Sequence, residues 1–226
     1  FANLHESKDR LGRAYLRALT LTAVFAAPAY GGVAVLANEL TYILLGDKWS
    51  SAGPVLALIA PSLIFNALGQ YNYAVLITAG RAKLLSAIAF INMVVSIGIF
   101  LIAARYGIVF LAAAVMIRTI MTAPISMHFT LRELGYRWSC YIGAIGAPIT
   151  STVVMMGCVY LLKTNASILD LPLRVALSVA FGVIVYIVMM LILKPDDIKM
   201  FIETLASSLM KRADGDTLSQ PMNGDK

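Results

Sequence analysis

One arginine lies in the middle of an apolar run. Arg118 is the eleventh residue of the twenty-residue stretch Ile108–Met127, whose other side chains are all uncharged. An arginine at the centre of a membrane span costs roughly 2.5–3.5 kcal/mol, so we expect Arg118 to face the protein interior or a water-filled cavity. Its planar guanidinium matches phosphate or carboxylate oxygens bidentately. Two interpretations stay open: contact with an anionic substrate, or pairing with backbone carbonyls or with an acid outside this sequence.

A second candidate is a set of polar side chains that share helix faces. Asn66, Gln70 and Tyr73 fall at i, i+4 and i+7 of one apolar run, and Asn92 and Ser96 repeat the spacing in the next run. Amides facing hydrocarbon would be unsatisfied, so this face is predicted to look inward. The spacing is compatible with the lining of a polar cavity suited to sugar hydroxyls. It is equally compatible with interhelical hydrogen bonds, which contribute about 0.6 kcal/mol each.

Covalent chemistry has no candidate residues. The two histidines, His5 and His128, have no metal-ligand spacing, and Cys140 and Cys158 form no ligand or disulfide pattern. The sequence also contains no phosphate-binding glycine loop and no nucleophile elbow. We therefore predict no catalytic residue, no metal and no cofactor, and a protein that is not an enzyme.

The elements that carry these side chains are membrane spans. The chain has 226 residues, of which 60% are hydrophobic and 13% charged, whereas soluble domains average roughly 25% charged. The apolar residues form blocks of the length that crosses a bilayer as a helix. The sequence predicts an all-α polytopic helical bundle with six spans: Leu19–Leu36, Val55–Thr78, Leu84–Ala104, Ile108–Met127, Tyr141–Leu162 and Val175–Leu193.

The basic residues are unequally divided between the two sides of these spans. Of 18 Lys and Arg residues, thirteen fall on the side of the two chain ends, one is Arg118, and four fall on the opposite side: Lys48, Arg105, Lys163 and Arg174. Cytoplasmic segments carry the excess of Lys and Arg. The prediction is therefore a multi-pass protein with both ends in the cytoplasm and with the Glu39–Gly53 loop outside.

The chain is predicted to divide into five consecutive segments. Residues 1–18 are predicted to form a cytoplasmic amphipathic helix leading into the first of four spans within 19–127. Two further spans lie within 128–193, followed by a cytoplasmic amphipathic helix over 194–212 and a disordered tail over 213–226. Because the sequence begins at Phe1, directly in a charged segment, we expect it to be the C-terminal part of a longer chain.

Helix breakers occur inside several spans. Pro28 is followed by Gly31 and Gly32 in the first span, and Pro61 and Pro124 lie in the second and fourth. Proline removes a backbone donor and kinks a helix, and bent spans are common in transporters that change shape. These five residues are hinge candidates. Ordinary packing is the competing interpretation, because Gly and Pro are frequent in membrane helices.

Four ordered features resemble one protein family. The run Glu39–Trp49 (ELTYILLGDKW) resembles the outer loop of Wzx-like polysaccharide flippases, in which an LLG-x-x-W element follows a proline-kinked span. Thr78–Arg81 is similar to the A-x-G-R turn of that family, Tyr106–Val109 to its Y-G turn, and Arg13–Leu19 to its amphipathic helix. The resemblance covers about Phe1 to Arg137. It is to the polysaccharide transporter branch of the multidrug/oligosaccharidyl-lipid/polysaccharide exporter superfamily.

The resemblance implies a fold and a function. Family members have two six-helix lobes around a central cavity, and some add two further helices. On that pattern the first four spans look like the end of the second lobe, and the last two like the added pair. The family moves undecaprenyl-diphosphate-linked oligosaccharides across the bacterial cytoplasmic membrane for exopolysaccharide or lipopolysaccharide synthesis. Cationic cavity residues meet the diphosphate, a role that Arg118 fits by type and depth.

Partners and competing functions follow from the same resemblance. The expected partners are the lipid-linked oligosaccharide, membrane lipid and the polysaccharide polymerase machinery, with no nucleic acid. A multidrug exporter of the same superfamily would be expected to carry an acid in its cavity, whereas the six predicted spans contain none. A membrane enzyme of glycan assembly would usually have large outer loops, whereas those of this chain are short. A purely structural membrane subunit stays open as well.

Overall fold

The protein is a bundle of α-helices. The computed structural model describes residues 2–165 and 170–195, and no β-strand occurs in this part of the chain. Two short 3-10 turns, Asp47–Trp49 and Ala104–Tyr106, lie between helices. The α-helices are α1 (Ala2–Val35), α2 (Ala37–Leu45), α3 (Ala52–Thr78), α4 (Ala82–Ala103), α5 (Ile108–Leu134), α6 (Trp138–Asn165) and α7 (Leu171–Leu193).

All of these helices except α2 are long and apolar enough to cross a membrane. Their most apolar stretches have a mean hydropathy of 1.6 to 2.8, highest in α7. The prediction of an all-α polytopic bundle with six spans is confirmed among the described residues, and the protein is a multi-pass membrane protein. The helices extend several residues beyond most of the predicted span ends, because polar residues at the ends of a span continue the helix outside the hydrocarbon.

Helix α1 joins the predicted amphipathic segment 1–18 and the first span in one element. It runs without a break through Pro28 to Val35. The predicted amphipathic helix 194–212 lies outside the described residues except for Lys194 and Pro195, and the predicted tail 213–226 lies wholly outside them.

The segment between the first two spans is more ordered than a loop. Ala37–Leu45 forms α2, whose first residue follows the end of α1 almost directly. At nine residues α2 is too short to cross a bilayer. Its C-terminal side chains Tyr42 to Leu45 are exposed, whereas Glu39 and Thr41 are buried. The predicted outer loop therefore begins with a short helix that packs against α3 and buries Ala37, Glu39 and Thr41.

Helix α1 is the centre of the packing. It lies against both α3 and α6, while α5 packs on α3, α7 packs on α6, and α4 packs chiefly on α5. One apolar core joins α1, α3, α5 and α6 around Leu19, Leu68 and Leu131. A second core joins α1, α6 and α7 around Met155 and Met190.

The hinge candidates lie inside continuous helices. Pro28, Pro61 and Pro124 are internal residues of α1, α3 and α5. A Cβ placed on Gly31 would fall 2.5 Å from Thr152 Cγ2 of α6, whereas one on Gly32 would meet no atom within 4 Å. Gly31 thus allows α1 and α6 to approach closely. This packing role accounts for Gly31, and the hinge role of all five residues stays a prediction.

Candidate functional site

A polar pocket lies between α3, α4, α5 and α6. Its volume is about 360 Å³, and four of the five predicted cavity residues line it: Asn66, Gln70, Tyr73 and Asn92. Residues of α5 complete the polar lining, including Thr119, Thr122 and Ser126. The helical spacing of the predicted residues therefore brings them to one place, and the pocket extends across more helices than the spacing indicated.

Two amide side chains in the pocket lining are exposed at the surface of the bundle. Asn66 and Gln70 are exposed, and neither side chain has a hydrogen-bond partner within the described residues. Both belong to a membrane-spanning helix, where an unpaired amide in hydrocarbon carries a large desolvation penalty. This face must therefore meet water, a polar ligand or another polar protein surface.

Asn72 lines the same pocket and also bonds to two neighbouring helices. The Tyr15 hydroxyl donates to Asn72 Oδ1 at 2.7 Å, and Asn72 Nδ2 donates to Ser126 Oγ at 3.3 Å. These bonds connect α1, α3 and α5. The Tyr71 hydroxyl similarly pairs with Thr22 Oγ1 at 2.6 Å. Both predicted uses of polar residues are thus present on α3, interhelical bonding at Asn72 and Tyr71 and pocket lining at Asn66 and Gln70.

Aromatic and apolar side chains form the rest of the wall. Phe65, Trp138 and Tyr141 line the pocket together with Ile142. Trp138 also stacks on His128, with ring centroids 6.2 Å apart. Amides and hydroxyls both donate and accept hydrogen bonds, and aromatic rings offer a flat apolar surface beside them. The lining carries no ionised side chain, so its chemistry suits neutral, hydroxyl-rich groups.

Arg118 lies beside this pocket rather than in its lining. Arg118 Nη1 donates to Ser96 Oγ of α4 at 2.7 Å, and Ser96 Oγ donates to the Asn92 carbonyl at 2.6 Å. No carboxylate lies within ion-pair distance of Arg118 in the part of the chain that the structure describes. The neighbouring Thr119 does line the pocket. The arginine therefore connects α5 to α4 through a hydroxyl, a partner that neither sequence interpretation named.

Sequence reasoning missed an ion-pair cluster at the other end of the bundle. Glu39 of α2 is only 7% exposed. Its Oε2 accepts from Lys163 Nζ at 2.8 Å, and its Oε1 lies 3.8 Å from Arg174 Nη2. Lys163 Nζ also donates to the Val35 carbonyl at 3.1 Å. One feature of the sequence could have indicated this cluster. An acid and two of the four basic residues on the less charged side of the spans are its three members, Glu39, Lys163 and Arg174.

A second, exposed ion-pair cluster marks the opposite end. Glu133 pairs with Arg81 Nε at 3.0 Å and with Lys8 Nζ at 3.7 Å. The N-terminal part of α1, the α3–α4 turn and the end of α5 thus meet at one end. The two loop sets that the charge pattern separated lie at opposite ends of the bundle.

Similarity to known proteins is confined to the first part of the chain. Residues 1–54, which form α1, α2 and the turn after them, match the family model described as polysaccharide biosynthesis protein. No curated protein and no solved structure matches the chain. Over these residues, this multi-pass membrane protein is similar to a family of polysaccharide biosynthesis proteins.

Proposed function

We propose that this chain belongs to a flippase for polysaccharide synthesis. It would move lipid-linked oligosaccharide repeat units across the bacterial cytoplasmic membrane by alternating access, for exopolysaccharide or lipopolysaccharide assembly. The observation that carries the proposal is the pair of unpartnered amides, Asn66 and Gln70, at the mouth of a polar pocket within membrane-spanning helices. The polysaccharide family match supports a glycan as the cargo.

The pocket chemistry supports an oligosaccharide. Its volume of about 360 Å³ is within the range of about 300–1,000 Å³ that small-ligand pockets occupy. Its lining carries no carboxylate, which is the group that a cationic-drug exporter would need. Glu39 is buried at the other end of the bundle, where Lys163 neutralises it. These features favour the glycan flippase over the multidrug exporter.

The position of the pocket fits loading from the cytoplasm. On α3 the lining runs from Phe65 to Tyr73, nearer to Thr78 than to Ala52. The Thr78 end carries the Arg81–Glu133 pair and the excess of basic residues, and we assign it to the cytoplasm. A lipid-linked glycan made on that face would meet the pocket first.

Arg118 is our candidate for contact with the diphosphate. Its half-buried guanidinium is held by one neutral hydroxyl, that of Ser96, and its neighbour Thr119 lines the pocket. A guanidinium held by one hydroxyl keeps further donors for phosphate oxygens. In the two-lobe arrangement that the resemblance implies, the first lobe would close the other side of the cavity.

The test is glycan export by the full-length protein supplied as the sole copy in its host. We expect Asn66→Leu and Gln70→Leu to lower export per folded molecule while abundance stays near normal. Thr150→Leu is the matched control, because Thr150 is exposed on α6 outside the pocket. In the same assay Arg118→Lys should keep partial export and Arg118→Ala should lose most of it. Full export per molecule in both amide variants would contradict the proposal.

A further inference from the structure

A second, apolar groove follows the outside of α1, α6 and α7. Its volume is about 600 Å³, and its lining is almost entirely aliphatic and aromatic, with Gly32 of α1 and Gly182 of α7 on opposite walls. Because all three helices are membrane spans, the groove opens onto lipid hydrocarbon rather than water. It is separate from the polar pocket, with which it shares no lining residue.

One end of the groove lies against the buried ion-pair cluster. Leu36, Val159 and Ser178 line the groove. Glu39 follows Leu36 by three positions, and Lys163 follows Val159 by four. Arg174 precedes Ser178 by four positions. Each separation is about one helical turn. Lys163 and Arg174 also lie within a turn of the facing ends of α6 and α7. The cluster therefore occupies the depth at which lipid headgroups meet the hydrocarbon.

The cluster holds more positive than negative charge. Two cations, Lys163 and Arg174, share the single carboxylate of Glu39, and the arginine is the more distant partner at 3.8 Å. Arg174 Nε is buried and has no hydrogen-bond partner in the described part of the chain. Ser178 Oγ, one turn further along α7 at the end of the groove, is also buried without a partner among the described residues. Both atoms are enclosed by protein, so an acceptor from outside the chain would meet the exposed parts of the Arg174 and Lys163 side chains, which are 22% and 20% exposed.

The length of the groove corresponds to one leaflet. Its α7 wall runs from Ser178 to Met190, which is about 18 Å at about 1.5 Å per residue. Half of a hydrocarbon core of about 30 Å is about 15 Å. A groove of this length accommodates a single lipid chain that extends from the headgroup level to the bilayer midplane.

We propose that this groove and cluster form a binding site for one anionic phospholipid of the leaflet on the α2 side. An acyl chain occupies the groove between α1 and α7, and the phosphate accepts hydrogen bonds from the partly exposed side chains of Arg174 and Lys163. The excess positive charge selects an anionic lipid over a zwitterionic one. The site is independent of the proposed transport function and of which face is cytoplasmic.

The test measures the lipid retained by the full-length protein after extraction from membranes of equal phosphatidylglycerol and phosphatidylcholine content. Native mass spectrometry counts each lipid per chain. We expect one retained phosphatidylglycerol and little phosphatidylcholine. Arg174→Gln should weaken phosphatidylglycerol binding about tenfold, the loss of one hydrogen bond to a charged group. Arg105→Gln removes the same charge from the same end of the bundle outside the cluster and should leave retention unchanged.

A second pair of variants tests the groove without touching the charges. Gly32→Leu fills the groove from the α1 side, where a Cβ meets no atom within 4 Å, so the bundle can fold normally. Its control is Gly157→Leu, which also meets no atom within 4 Å but lies outside the groove. We expect only Gly32→Leu to abolish retention. Equal retention of the two lipids, unchanged binding by Gly32→Leu, or a retained isoprenoid lipid in place of phospholipid would each overturn the proposal.

Discussion

Asn72 offers the sharpest test of how the polar residues of α3 divide their roles. Its side chain bonds Tyr15 at 2.7 Å and Ser126 at 3.3 Å, so Asn72→Leu removes two interhelical contacts. Interhelical hydrogen bonds in membrane proteins contribute about 0.6 kcal/mol on average and up to about 1.7 kcal/mol. The substitution also leaves the hydroxyl of Tyr15 without a partner, and Tyr15 is 3% exposed. That desolvation adds about 1–3 kcal/mol.

With two average bonds and the desolvated hydroxyl, the loss in the free energy of unfolding for Asn72→Leu is about 2–4 kcal/mol. Asn66→Leu is the comparison variant, because Asn66 lies on the same helix and has no hydrogen bond to lose within the described residues. We expect its stability change to stay below about 0.5 kcal/mol, as for other substitutions that remove no buried contact. The measurement is SDS-induced unfolding of the purified full-length protein in mixed micelles.

A double-mutant cycle isolates the Tyr15–Asn72 contribution. Tyr15→Phe combined with Asn72→Leu removes both partners, so no hydroxyl is left unpaired. The double variant should be more stable than the sum of the two single losses predicts, by about 1 kcal/mol. Equal losses for Asn72→Leu and Asn66→Leu, or strict additivity in the cycle, would refute the assignment of a stabilising interhelical role to Asn72 and not to Asn66.

Two further predictions concern the opposite ends of the bundle. Lys163→Met leaves Glu39 buried without its 2.8 Å partner and should cost about 3 kcal/mol in the same unfolding measurement. Lys48→Met, at an exposed position, should cost almost nothing. Equal effects of the two substitutions would show that the Lys163–Glu39 pair is not a stabilising contact. For topology, an impermeant thiol reagent applied to intact cells should label Ser50→Cys but not Lys83→Cys, each in a chain whose native cysteines are replaced, because the charge bias puts position 50 outside. The reverse labelling pattern would invert the orientation.

Composition and hydropathy were sufficient to predict the spans. A helix that crosses a bilayer needs about twenty apolar residues, and its backbone N–H and C=O groups must all be hydrogen-bonded. The sequence of a span therefore identifies it as a helix even before its neighbours are known. The same reasoning failed for Ala37–Leu45, which forms α2 instead of a loop. Nine residues are too few to register as a span, and the helix depends on packing against α3 and on the burial of Glu39.

The pocket was only partly predictable. Periodicity identified Asn66, Gln70 and Tyr73 as one face, since residues four and seven positions apart lie on the same side of a helix. Periodicity could not identify Asn72 as an interhelical bonding residue, because its bonding depends on Tyr15, 57 positions earlier in the chain. The burial of Glu39 was equally impossible to predict from local sequence, since its partner Lys163 is 124 positions away. Long-range pairing of this kind is decided by packing and leaves no local pattern.

Helix α1 is longer than a bilayer is thick. Its 34 residues extend about 51 Å at about 1.5 Å per residue, against about 30 Å of hydrocarbon, so a part of about 20 Å projects on the side of Lys8. The helix is clamped to α6 near its other end, where Gly31 meets Thr152. The projecting part is held to α5 as well, through the Lys8–Glu133 ion pair. Because Tyr15 between these two contacts bonds Asn72 in the pocket lining, one continuous helix connects the aqueous phase to the pocket wall.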